Sequence, residues 1–207
     1  MLDLSQTPVT LLLLGVNILL SLFVLMRQPA LLDRLSLVPV RVLQNGEIYR
    51  LVTAGFVHVN GTHLLVNMIT LYFFGPWMEI TLGSAAFLLL YFGAELAAHG
   101  VSLVIHRRNP RYAAVGASGA ISGVLFAFCL YEPFRLLFLF FVIPIPAIVF
   151  AIGFVIVSLI AMRRQAGQVG GFAHEAHLGG ALGGVVIAIA LNPAVLPALL
   201  QTITLNG

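Results

Sequence analysis

From Pro8 to Met26 the chain runs for 19 residues without a charge, interrupted by Asn17 and Ser21. A stretch of that length and character fits a helix crossing the ~30 Å hydrocarbon core of a bilayer. Much of the remaining chain is built the same way: hydrophobic residues make up 60% of the 207 and charged residues 8%. Soluble domains carry about 25% charged residues, so this chain lacks the charge to cover a water-facing surface. The expectation is an integral membrane protein with room for about six spans of ~20 residues each. Composition excludes a disordered chain, a disulfide scaffold (Cys129 is the single cysteine) and a nucleic-acid binder. The ten basic residues are all arginine, and in so apolar a chain they suit lipid headgroups rather than a polyanion.

The first run lacks the basic amino-terminal region of a signal peptide, since Asp3 is the only early charge, and is read as a retained helix. Residues 27–61 then mix Leu and Val with Arg27, Asp33, Arg34, Arg41, Glu47 and Arg50, broken by Pro29 and Pro39. This stretch is too polar to span and suits the membrane interface as a long functional loop. Further spans are expected over Thr62–Thr81, Ser84–Ile105, Gly116–Tyr131, a Pro144- and Pro146-containing run ending at Met162, and Ala173–Leu191. The apolar tail Ala194–Leu205 is too short to cross and is expected at the interface or against the bundle. There is no domain boundary and no internal repeat of the transporter kind. The expected architecture is therefore one all-α domain over residues 1–207, a six-helix bundle with a long interfacial first loop.

Ionisable groups at bilayer depth cost at least ~2.5–3.5 kcal/mol each on the insertion scale, so they face the bundle interior and mark function. His63 and Asn67 are four apart and share one helix face. Two convergent N–H donors suit a developing oxyanion, although interhelical hydrogen bonding would produce the same spacing. Gly116-Ala117-Ser118-Gly119 opens the shortest span, where Ser118 meets a helix N-terminus and its free backbone N–H groups. Here too a plain packing role is open, because Gly119 and Gly123 have the G-x-x-x-G spacing, and Ala120 excludes the G-x-S-x-G elbow. His174 and His177 precede Gly179, Gly180, Gly183 and Gly184, a surface that allows close helix approach and could bring an imidazole to Ser118. Glu175 points to another face than His177. Glu79 is expected to pair with a loop or helix terminus, and Glu95 and His99 to form a structural i, i+4 pair. A metal site is disfavoured by the absence of H-E-x-x-H and of any partner for Cys129, and no cofactor is expected.

The order of these features resembles a rhomboid intramembrane serine protease. Residues 56–68, F-V-H-V-N-G-T-H-L-L-V-N-M, resemble the family's second-helix signature, with a histidine five positions before the H-x-x-x-N pair. Gly116-Ala117-Ser118-Gly119-Ala120 resembles its G-x-S-G, Ala176-His177-Leu178-Gly179-Gly180 its A-H-x-G-G, and residues 141–147, F-V-I-P-I-P-A, its Pro-containing entry to the fifth helix. The resemblance covers residues about 45 to 185, within a motif-bearing core of about 45–191.

The resemblance implies Ser118 as nucleophile, His177 as general base and then acid, and an oxyanion hole of His63, Asn67 and the Ser118 N–H. It implies Gly180 as the small residue that permits close contact between the fourth and sixth helices, and Gly116, Gly119, Gly180 and Gly184 are together expected as helix-packing positions. The implied activity is hydrolysis of peptide bonds in or near transmembrane helices of membrane protein substrates, in the lipid bilayer and without a cofactor. The implied setting is a multi-pass protein of the cell (plasma or inner) membrane. The alternative is a non-catalytic rhomboid-fold protein that binds membrane clients. Two positions depart from the pattern: Ser122 replaces the aromatic the family often carries four residues after the serine, and Tyr49-Arg50 replaces Trp-Arg. Ser122 leaves the imidazole looser unless another side chain fills the gap. Nine of ten arginines lie in the first, third and fifth loops, which the positive-inside rule puts in the cytoplasm. Family topology puts those loops outside it, and the expectation follows the family.

Overall fold

The computed structural model describes residues 6–139, 142–165 and 173–206, and they are mostly helical. Helix α1 covers Pro8–Arg27, and the long loop folds into three short helices, α2 (Leu31–Leu35), α3 (Pro39–Asn45) and α4 (Arg50–Thr53), followed by a 3-10 turn over Ala54–Phe56. Then come α5 (Gly61–Leu82), α6 (Ser84–His106), α7 (Ser118–Tyr131), strands β1 (Leu136–Leu139) and β2 (Ile143–Pro146), α8 (Ala147–Gln165), α9 (His174–Leu191) and α10 (Val195–Asn206). Among the described residues three helices, α1, α6 and α9, are both long and apolar enough to cross a bilayer.

Polar residues in the apolar helices turn inward. On α1 the buried positions Thr10, Leu13, Asn17, Ser21 and Val24 form one stripe at helical spacing. Thr10 gives both its backbone N–H and its hydroxyl to Glu79, each at 2.7 Å, and Val9 N–H reaches the same carboxylate at 3.0 Å. Ser84, the first residue of α6, donates to it as well at 2.7 Å. Glu79 thus joins the starts of α1 and α6 to the end of α5, the helix-terminus role expected of it.

Helix α7 is the centre of the bundle. Eleven of its 14 residues are buried, the pattern of a helix surrounded by others. Its length gives about 21 Å at ~1.5 Å per residue, short of the ~30 Å core. Its contacts with α9 run through glycines: a Cβ on Gly180 would strike the Gly119 carbonyl, and one on Gly184 the backbone of Gly123. The two glycine pairs of α9 serve different neighbours, since Gly179 and Gly183 lie against Val101 and Ala97 of α6.

The structure corrects the expectation in three places. The fold is not wholly α: Leu136–Leu139 and Ile143–Pro146 pair antiparallel, with Leu136 opposite Pro146 and Leu139 opposite Ile143. Pro144 and Pro146 force the residues before them out of the α region and offer no N–H to a helix, so α8 starts at Ala147 rather than in the proline run. Phe141, in that run, and the glycines of 167–171 lie outside the described residues. Thirdly, α7 begins at Ser118 rather than Gly116, because Gly116 has φ +115°, which no helix admits. The tail Val195–Asn206 is helical and lines a groove with Leu130 and Tyr131 at the end of α7.

Candidate active site

Three elements converge on the start of α7. The segment before it is tied to the long loop, for Leu37 and Ala114 exchange backbone hydrogen bonds of 2.9 and 3.0 Å, and Gly116 N–H reaches the Ala54 carbonyl at 2.9 Å. The loop is itself held by buried Arg50, whose guanidinium donates to the carbonyls of Asp33 and Ser36, both at 2.7 Å, and to Glu47 at 2.6 Å. Gly116 meets two demands at once: its φ favours glycine, and an added Cβ would lie 2.8 Å from His63 Nε2. The neighbour it admits is the His63 ring of α5, whereas Gly119, Gly180 and Gly184 lie at the α7–α9 contact.

His177 Nε2 stands 2.8 Å from Ser118 Oγ, although 59 residues separate them. The glycine contacts between α7 and α9 make this approach possible, since any side chain there would hold the helices apart. Both residues are half-buried. The ring of Phe154, on α8, lies 6.4 Å from that of His177, and Phe126 braces Phe154 at 5.3 Å. A ring from α8 thus lies beside the His177 imidazole.

The His63 ring lies against Gly116, two residues before Ser118, with Asn67 one turn further along α5, and the Asn60 side chain caps the helix by accepting His63 N–H at 2.8 Å. Asn67 is 5% exposed, and its Nδ2 has no hydrogen-bond partner among the described residues. Buried donors are nearly always paired, so this one is available for a ligand atom. The first turn of α7 is also partly filled. Ala117 N–H points at His58 Nε2 at 3.4 Å, and Ala120 N–H reaches Glu95 Oε2 at 2.9 Å. Among the described residues no acceptor takes the N–H of Ser118 or Gly119.

His58 and Glu95 have roles that residue spacing did not disclose. His58 is fully buried and bonds Ser21 Oγ at 2.9 Å, while that hydroxyl donates to the Phe56 carbonyl at 3.1 Å. This chain assigns the proton to Nδ1 and leaves Nε2 to accept from Ala117. Burial, and to a lesser degree His63, holds the imidazole down at about 3, so it stays neutral. Glu95 does pair with His99 as expected, at 3.2 Å, but it also caps α7 two residues after Ser118. An acid inside an apolar span was the available signal for it; Phe154, one of many apolar residues of α8, had none. His174 lies with its ring 6.3 Å from His177. Among the described residues no three histidine, cysteine or carboxylate side chains converge as a metal site would require.

The Rhomboid domain family matches residues 45–194. RHOMBOID-like protein 12, mitochondrial, of Arabidopsis thaliana is 29% identical over 153 residues, covering 67% of this chain and 45% of that protein. A Bacillus subtilis protein with the provisional name rhomboid protease YdcA is 38% identical over 91 residues, 44% of this chain and 45% of its own length. The human presenilin-associated rhomboid-like protein, mitochondrial, is 37% identical over 134 residues, 63% of this chain and 34% of that one. The chain thus spans less than half the length of these curated relatives. With apolar helices able to cross a bilayer, and a family match that takes in α5, α6, α7 and α9, the chain is an integral membrane protein of the rhomboid family.

Proposed function

We propose that this chain is an intramembrane serine endopeptidase that hydrolyses peptide bonds in or near transmembrane helices of membrane proteins. The observation that carries the reading is the 2.8 Å contact between His177 Nε2 and Ser118 Oγ, the geometry of a base beside the hydroxyl it activates. In the reading, His177 takes the Ser118 proton as Oγ attacks the scissile carbonyl, and later returns it to the leaving amine. The oxyanion is met by the Ser118 N–H, by Asn67 Nδ2 and by His63, and water then releases the acyl group. The unpaired Asn67 amide supports this assignment, since a donor kept free in a buried place costs stability unless something uses it.

The whole chain forms one domain in this reading, with α1, α5, α6, α7, α8 and α9 as its six spans. The non-catalytic client-binding alternative draws its local support from Ser122; the Phe154 ring beside that of His177 weighs on the side of the catalytic reading. Substrates are single-pass helices with weak helix formers near one end, because a helix in lipid keeps its peptide groups bonded and must unwind to reach Ser118. Strengthening a substrate's helix at the scissile bond should slow its cleavage. We place the protein in a cell membrane, and recovery with another membrane on fractionation would overturn that placement. For the activity, purified protein in liposomes is given a single-pass substrate and a fluorophosphonate probe. Cleavage and labelling in the wild type, both lost in Ser118→Ala and His177→Ala, are the expected result. A wild type that neither cleaves nor labels would leave client binding as the function.

A further inference from the structure

His177 occupies the first turn of α9, where helices fray most readily. From Gly180 onward the helix is fixed by its backbone contact with α7, but this grip begins three residues after the imidazole. On the other side of His177, Glu175 is nearly buried, and one of its carboxylate oxygens, Oε1, receives two groups. Tyr112 OH donates to it at 2.8 Å, and His106 Nε2 lies 3.0 Å away. The two rings are stacked, their centroids 3.6 Å apart and 11° from parallel, so they act as a single slab. Ser102 of α6 adds a contact to the same hydroxyl at 3.3 Å. Burial, with the Glu175 charge, pushes the Tyr112 hydroxyl above its ordinary range, so it remains a donor. The carboxylate also sits at a helix N-terminus, where negative charge is favoured.

We infer that Glu175 is a positioning residue for His177: with Tyr112 and His106 it pins the first turn of α9 to the end of α6 and to the connection between α6 and α7. This rests on the reading of Ser118 and His177 given above. Tyr112 also lies on the segment that leads to Ser118, six residues on, so the same carboxylate sets the nucleophile's approach and the base's helix against each other. The glycine contacts fix the distance between α7 and α9, and the Glu175 cluster fixes the rotation of the first turn.

Glu175→Ala, Glu175→Gln and Tyr112→Phe are compared in liposomes by kcat per titrated active site, KM, and the rate of fluorophosphonate labelling, alongside Tm. Glu175→Ala is expected to lower both kcat and labelling on the order of 10- to 100-fold with KM little changed, as misplacement of about 1 Å does. Glu175→Gln, which keeps an acceptor for Tyr112, should recover most of that loss, and Tyr112→Phe should show a smaller fall in the same two rates. Should Glu175→Ala fail to fold, Tyr112→Phe decides alone, since it removes one oxygen. Labelling at the wild-type rate in Glu175→Ala or Tyr112→Phe, with only Tm lowered, overturns the inference while leaving the dyad intact. Equal labelling of wild type and Ser118→Ala would instead overturn the dyad.

Discussion

The two flanks of α7 are built on different principles. On one, α6 and α9 approach through glycine and alanine: Gly119, Gly123, Gly180 and Gly184 on the α7–α9 side, with Ala94, Ala97 and Ala98 completing the contact from α6. On the other, α8 buries only Ala147 and Ser158 among its described residues, and turns Val149, Ile152, Ile156, Val157, Leu159 and Ile160 outward. Lipid is as apolar as leucine, so large side chains gain little by helix contact in a membrane, whereas small ones gain close packing. The first flank is therefore closely packed, backbone against backbone, and the second is attached by the Phe126–Phe154 ring contact and by Ala147, Phe150 and Ala151 against Leu125 and Cys129. The dyad lies between them, with its distance set by the rigid flank and its ring braced by the looser one.

Substitutions can break this contrast in order of severity. The largest effect is expected from Gly180→Ala, whose new methyl would meet the Gly119 backbone rather than a side chain that can turn aside. Overpacking of ordinary cores costs about 1–3 kcal/mol, and with backbone on the other side the loss should be at least that, seen as a fall in Tm together with activity. The matching change on the loose flank, Gly153→Ala, meets no atom within 4 Å and should leave both unchanged. If the two alanines behaved alike, the contrast would be wrong. Next comes Asn67→Ala, expected to lower kcat by about 10²–10³ with little change in Tm, as loss of one oxyanion donor does. An equal fall in Tm would show Asn67 to be interhelical packing instead. Smallest is Phe154→Ala: removing an aromatic neighbour worth about 0.5–1.5 kcal/mol should slow turnover about 2- to 10-fold. An unchanged rate would show that the rigid flank alone positions His177.

Much of this was legible because membranes make polar residues conspicuous. Ser118, His177, His63 and Asn67 stand out in apolar runs at helical spacings, and their order along the chain completed the assignment to a family. Glu79 could be expected at a helix terminus for the same reason. Spacing could not show which neighbour each group would meet. Glu95 and His99 read as an internal pair of α6, yet the second oxygen of Glu95 caps α7, a contact that depends on how two helices cross. Phe154 was invisible among its apolar neighbours, since only tertiary packing distinguishes it. The hairpin is not legible because an apolar run does not distinguish a short strand from a buried helix, and Pro144 and Pro146 lie within β2 rather than in a span. Neither the positive φ of Gly116 nor the approach of the His63 ring to it can be read from spacing.

The separation of Ser118 from His177 by 59 residues has a consequence for synthesis. Ser118 leaves the ribosome before His177 by roughly 3–12 s at ~5–20 residues per second, and His63 and Asn67 on α5 earlier still. Throughout that interval the growing chain shares its membrane with other nascent helices, while holding a serine that nothing deprotonates. On the proposed function, hydrolytic competence is tied to α9 and its glycine contact with α7, so a chain truncated before His177 should take up no fluorophosphonate.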